Sequence, residues 1–213
     1  NQQPLDPAVR PEYLGWDWPT PWRAMRINEI LRGDAAMTPE KMRLAQTDPT
    51  SVLTARVLGA VKAALTARDA EVTAADRAAL AFLDAWDGRF DVESKGPVLY
   101  EALLAEIVRR TWDELAAPGE ARRMATPNTM MLVRLFDEPG SVWWDDRSTA
   151  DVAETRDAIL HASLRGAWEG VRTRRGNDPA AWRWGDLRQA NIRHLLQLPG
   201  FGRESLQVQA GPG

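Results

Sequence analysis

Cysteine is absent from this 213-residue chain. Disulfides, thiolate metal sites and a cysteine nucleophile are therefore excluded within it. Histidine is scarce: only His161 and His194 occur, so a His-rich zinc site is not expected. Lysine is scarce too. Of 27 basic residues only Lys41, Lys62 and Lys95 are not arginine, a bias that reads as a high-GC genome rather than a binding patch. The formal charge of −3 gives no electrostatic case for nucleic acid or an anionic membrane as partner. No apolar run approaches the ~20 residues of a membrane span. The chain has no GxGxxG, GxxxxGK[ST], HExxH or GxSxG signature. It also has no initiator Met and no basic stretch leading into an apolar signal core. The abrupt start at Asn1 and end at Gly213 create the expectation of a segment cut from a longer polypeptide.

What is present points to helices. Residues 1–22 hold Pro4, Pro7, Pro11, Pro19 and Pro21 with Trp16, Trp18 and Trp22. That proline density predicts an ordered loop. A helix is expected from Arg23, with Gly33 as its stop. Thr38-Pro39 opens a short second helix. Leu53, Val57, Val61 and Leu65 mark one face of a third. Thr73 and Asp76 form a capping-box pattern ahead of Leu80, Leu83 and Trp86. Pro97 opens a helix whose stripe reads Tyr100, Leu104, Val108, Thr111 and Leu115. Thr126-Pro127 opens a shorter one, and Ser148 with Asp151 is expected to cap the longest. Ser205–Gln209 alternates like a strand. The expected layout is a loop over 1–22, a helical domain over 23–200 and a return strand within 201–213.

Single chemical motifs are weak. Asp145-Asp146 reads as a solvated turn pair, and the tryptophans read first as core. The order of several segments is more specific. Tyr13-Leu14-Gly15 and Arg23 to Leu31 come first, then Gln46-Thr47-Asp48-Pro49-Thr50-Ser51, Ala85-Trp86-Asp87-Gly88 and Gly96-Pro97-Val98-Leu99-Tyr100. Val142-Trp143-Trp144-Asp145-Asp146 and Trp182-Arg183-Trp184-Gly185 follow. In this order the chain resembles the penicillin acylase (penicillin amidase) family of N-terminal-nucleophile hydrolases.

The resemblance implies a mostly α segment of an αββα enzyme, belonging to its large chain. Such a precursor cleaves itself, and the exposed N-terminal Ser attacks a linear amide. That Ser would lie upstream of Asn1, so this segment alone is expected to be inactive. Asn1 matches the family's oxyanion-hole Asn, and Arg23 an Arg that organises the active site. Glu12 matches an acidic ligand of a structural calcium, although relatives carry Asp there. Trp16 and Trp18 are candidates for the acyl-pocket wall. The implied partners are the small chain and the rest of the large chain, with a small-molecule amide as substrate and no organic cofactor. A periplasmic or extracellular location is expected. Two alternatives stay open: an acyl-homoserine-lactone acylase of the same fold, or a non-catalytic helical interaction module.

Overall fold

The structure, a computed structural model, describes residues 9, 19–116 and 124–187. Seven α-helices run in order: α1 (Trp22–Gly33), α2 (Pro39–Gln46), α3 (Val52–Ala67), α4 (Ala74–Asp84), α5 (Gly96–Thr111), α6 (Thr129–Leu135) and α7 (Arg156–Arg175). Short 3-10 turns link them. The chain is mostly helical, as its periodicity predicts. Among the described residues no sheet forms, and Thr50 and Arg89 make an isolated antiparallel bridge. The strand expected over Ser205–Gln209 lies outside the described residues.

The local signals act as their chemistry dictates. Thr38 accepts a hydrogen bond from the Lys41 amide at the start of α2. At α4, Thr73 and Asp76 close a reciprocal capping box. Gly176 ends α7 with φ 90°, a backbone state that glycine adopts without Cβ strain. Two expected starts are wrong. The helix assigned to Thr126-Pro127 begins at Thr129, because Asn128 caps it by accepting from the Met130 and Met131 amides. Pro127 also disfavours helical backbone at Thr126. The longest helix is capped not by Ser148 but by Thr155, which accepts from the Ala158 amide. Ser148 is drawn aside: both its amide and its hydroxyl donate to Asp146 Oδ1, at 3.0 and 2.6 Å.

The core gathers around α5 and α7, the most extensively packed pair; α7 also covers α3 and α4. Leu53, Val57, Val61 and Leu65 of α3 are all buried. On α5 the buried centre is Leu99, Leu103 and Ile107, whereas Leu104 and Val108, expected to lead the stripe, are only partly buried. Helices packed on two sides bury a wider arc than one stripe. Asp145-Asp146 is also corrected. Asp146 is buried, pairs with Arg110 at 3.1 Å, and accepts the two Ser148 hydrogen bonds. Burial alone would raise its carboxyl pKa, but the Ser148 donors and the Arg110 charge lower it below the ordinary value.

Aromatic residues fill the seams. Phe90 stacks edge-on against Trp86, Tyr100 and Trp184, with centroids 5.2, 5.9 and 5.3 Å away. Phe82, Trp168 and Trp182 form a second cluster. Trp144 and Trp182 are fully buried, so the core reading of these tryptophans holds. Gly96 lies under Trp86: a Cβ on it would fall 2.2 Å from Trp86 Cγ. Gly96→Ala should therefore force Trp86 off its cluster and cost about 1–3 kcal/mol. A chemical-denaturation midpoint equal to wild type would refute that packing account.

Candidate active-site face

Of the five residues assigned a functional role from sequence, the structure describes one. Asn1, Glu12, Trp16 and Trp18 lie outside the described residues. Arg23 sits in the first turn of α1, exposed to solvent. Pro21 precedes that turn and its carbonyl accepts from the Met25 amide at 2.8 Å, so the proline serves as N-cap without a side-chain hydrogen bond. Proline presets the local φ and leaves the start of the helix sharply defined.

α1 is held in an unusual way for an amphipathic helix. None of its residues is fully buried, and Ile27 and Leu31 remain about two-fifths exposed. Trp22 packs partly buried against the core and α1 lies on α3, and two polar clamps add to this. Trp22 Nε1 donates to Thr129 Oγ1 at 2.6 Å, tying the N-terminal end to the start of α6. One turn after Arg23, Arg26 Nε donates to Asp48 Oδ2 at 2.5 Å.

Asp48 belongs to the turn between α2 and α3, and its side chain is only 9% exposed. Its Oδ1 accepts from Thr50 Oγ1 at 2.7 Å and from the Thr50 amide at 3.3 Å. Arg89 Nη1 approaches the same oxygen at 3.4 Å. Burial pushes the carboxyl pKa upward, but the hydrogen bonds from Thr50 and Arg26 outweigh it, and the group titrates below its ordinary value. In the sequence Asp48 stands out only as part of the segment 46–51. Its partners Arg26 and Arg89 stand 22 and 41 residues away, so no local spacing brings them together.

Two open clefts flank this clamp. The larger, about 840 Å³, is lined by Trp22, Arg23, Arg26, Ile27, Met42 and Thr50 among others. The smaller, about 430 Å³, lies on the other side of Arg26 and Asp48 and reaches Lys41 and Arg89. The larger has the size range of a small-molecule site. It combines an apolar flank, Trp22, Ile27, Ile30 and Leu31, with the exposed Arg23 guanidinium.

A second charged cluster resembles a catalytic pair but is built as a brace. Asp76 Oδ2 lies 3.0 Å from His161 Nε2 and 2.8 Å from Arg165 Nη2. It also accepts from the Thr73 amide and hydroxyl, both at 2.8 Å. The carboxylate and the imidazole are buried. A carboxylate offers Nε2 only an acceptor, so the ring carries its proton there. Every Asp76 oxygen is committed to joining α4 to α7, and the cluster lines neither cleft. Among the described residues no group of three or more His, Asp or Glu could hold a metal ion. No helix among them is long and apolar enough to cross a membrane.

Comparison with known proteins gives these features a context. The penicillin amidase family model matches residues 1–213. The chain is 31% identical over 195 residues to the acyl-homoserine lactone acylase QuiP of Pseudomonas putida, which covers 83% of this chain and 23% of that protein. It is 29% identical over 199 residues to the protein of the same name from Pseudomonas aeruginosa, at 84% and 23% coverage. For the Pseudomonas syringae pv. tomato protein the identity is 31% over 230 residues, at 94% and 26% coverage. The chain thus spans about a quarter of the length of the curated relatives it matches. Among the described signals that marked the resemblance, Trp86 packs over Gly96 and Trp184 against Phe90, within the helical body. On the family match along its whole length, the chain belongs to the penicillin amidase family.

Proposed function

We propose that this chain is one segment of an αββα N-terminal-nucleophile amidase that hydrolyses linear N-acyl amides. The observation that carries the reading is the family match along all 213 residues. The names of the relatives favour N-acyl-homoserine lactones as the substrate class over penicillins. Both are secondary amides cleaved at the same C–N bond. The nucleophile is a Ser outside these 213 residues, freed when the precursor cleaves itself. The rest of the large chain and the small chain complete the enzyme, and the mature protein is periplasmic or extracellular.

The resemblance to the family supports these roles. The Ser hydroxyl oxygen adds to the amide carbonyl carbon while its proton passes to the Ser α-amine. An α-amine titrates near ~7.7–8.0, so part of it is neutral and basic at working pH. The carbonyl oxygen becomes an oxyanion, and the Asn1 side-chain N–H donates to it. The leaving nitrogen takes a proton, the C–N bond breaks, and water then releases the acid from the acyl-enzyme. Arg23, fixed at the start of α1, orients Asn1 or a polar end of the substrate. Trp16 and Trp18 contribute to the wall of the acyl pocket. Glu12, outside the described residues, would supply a carboxylate oxygen to a structural calcium.

Arg23 offers the direct test. Lysine keeps the charge but loses the planar fork of donors. In the complete enzyme Arg23→Lys is expected to lower kcat/KM nearly as much as Arg23→Ala. If Lys preserves full activity, charge alone suffices. If Ala also preserves it, the role of Arg23 falls.

A further inference from the structure

We propose that Asp48 is a positioning residue that sets the rotation and height of α1, and through them the placement of Arg23 over the larger cleft. The inference rests on the reading of Arg23 as an active-site residue given above. Among the described residues α1 has no fully buried side chain to lock it against the body. A helix held by partly exposed apolar contacts turns easily about its axis. With side chains its radius is about 5–6 Å, so a rotation of ~20° moves a side-chain head by about 2 Å. Misplacement of a reacting or orienting group by about 1 Å can cost ~10²-fold in rate. Something must therefore fix the angle of α1.

Asp48 is built for that task because it is itself anchored. The Phe90 amide donates to the Pro49 carbonyl at 3.1 Å, and the Ser51 amide to the Gly88 carbonyl at 3.3 Å. Trp86 Nε1 donates to the Arg89 carbonyl at 2.7 Å, and Trp86 in turn packs on Gly96 and Tyr100. Residues 48–51 are thus stapled to 88–90, and these to the core around α5. Asp48 presents Oδ2 outward from this frame to Arg26. Arg26 lies three positions after Arg23, one turn along the same face of α1. The Trp22–Thr129 hydrogen bond fixes the end of α1, and the Asp48–Arg26 ion pair fixes its rotation. Arg89 and Thr50 occupy the other carboxylate oxygen and keep it from turning away.

The experiment is a double-mutant cycle in the complete, processed enzyme, with an N-acyl-homoserine lactone as substrate. Asp48→Ala is expected to lower kcat/KM by ~10–100-fold, mostly in kcat. Asp48→Asn keeps an acceptor oxygen for Arg26 and should recover at least half of that loss on a logarithmic scale. In an Arg23→Ala background, Asp48→Ala should cost less than twofold more, because its effect runs through Arg23. Equal losses in both backgrounds would mean general damage to the fold and would overturn the proposal. So would wild-type kcat/KM for Asp48→Ala while Arg23→Ala is impaired. Full activity of Arg23→Ala would instead remove the reading of Arg23 itself, and the proposal with it. Should Asp48→Ala fail to accumulate, the Asp48→Asn cycle decides by the same criteria.

Discussion

Asn1→Ala in the complete enzyme is expected to lower kcat by about 10²–10³ while leaving processing and melting behaviour unchanged. The size follows from what one oxyanion donor contributes: removing one in a comparable hydrolase costs ~2.7–4 kcal/mol of transition-state stabilisation. An oxyanion donor acts where charge develops, so in the proposed role the loss should appear in kcat and in kcat/KM alike, with little change in KM. An Asn that only shapes a loop would behave differently. It would leave kcat near wild type, or lower it together with folding yield. Steady-state kinetics on the processed enzyme separates the two.

The largest effect on stability is expected at Asp76. Its carboxylate takes two hydrogen bonds from Arg165, one from His161 and two from Thr73. Asp76→Ala would leave the buried His161 ring and the capped end of α4 without their acceptor. Breaking a buried charged pair costs ~3–5 kcal/mol, and the lower end applies because Arg165 is nearly half exposed and can rehydrate. Amide hydrogen exchange should show the loss first in α4 and α7, the helices that Asp76 joins. Protection equal to wild type there would refute the brace.

The same carboxylate predicts an acid limb. Burial alone would raise the Asp76 pKa, but its donors, Arg165 first, lower it well below the ordinary carboxylate range. The folded state therefore holds the anion more tightly than the unfolded chain does. That stabilisation is fully present above the unfolded value of about 3.9 and is lost as pH falls from there toward the folded value. Asp76→Asn should flatten this limb in a denaturation series run below about pH 5. An unchanged slope would place the acid sensitivity elsewhere.

Helices were legible in the sequence wherever a local rule sufficed. Thr38-Pro39, the Thr73–Asp76 box and the Leu53–Leu65 ladder depend only on neighbours within a turn or two, and the structure agrees. The errors share one cause. Ser148 looked like a cap because Asp151 stands three residues later, yet Asp146, buried by Arg110 from a different helix, claims it first. Asp145-Asp146 looked like a solvated turn for the same reason. Asp48 looked unremarkable because Arg26 and Arg89 reach it only after the chain has folded. At the candidate site, the proposed chemistry rests on the resemblance alone. Neither Asn1 nor Arg23 carries a spacing rule that distinguishes a donor to an oxyanion from an ordinary polar residue.

If these residues serve a nucleophile lying outside them, covalent labelling should locate it there. The processed enzyme would be inactivated with a sulfonyl fluoride that acylates activated serines, digested, and mapped by mass spectrometry. The label should sit on a Ser at a newly formed chain N-terminus outside these 213 residues, with loss of amide hydrolysis in proportion to labelling. Stoichiometric label on Ser51, Ser94, Ser163 or another serine of this chain, with the same loss of activity, would place the nucleophile inside it.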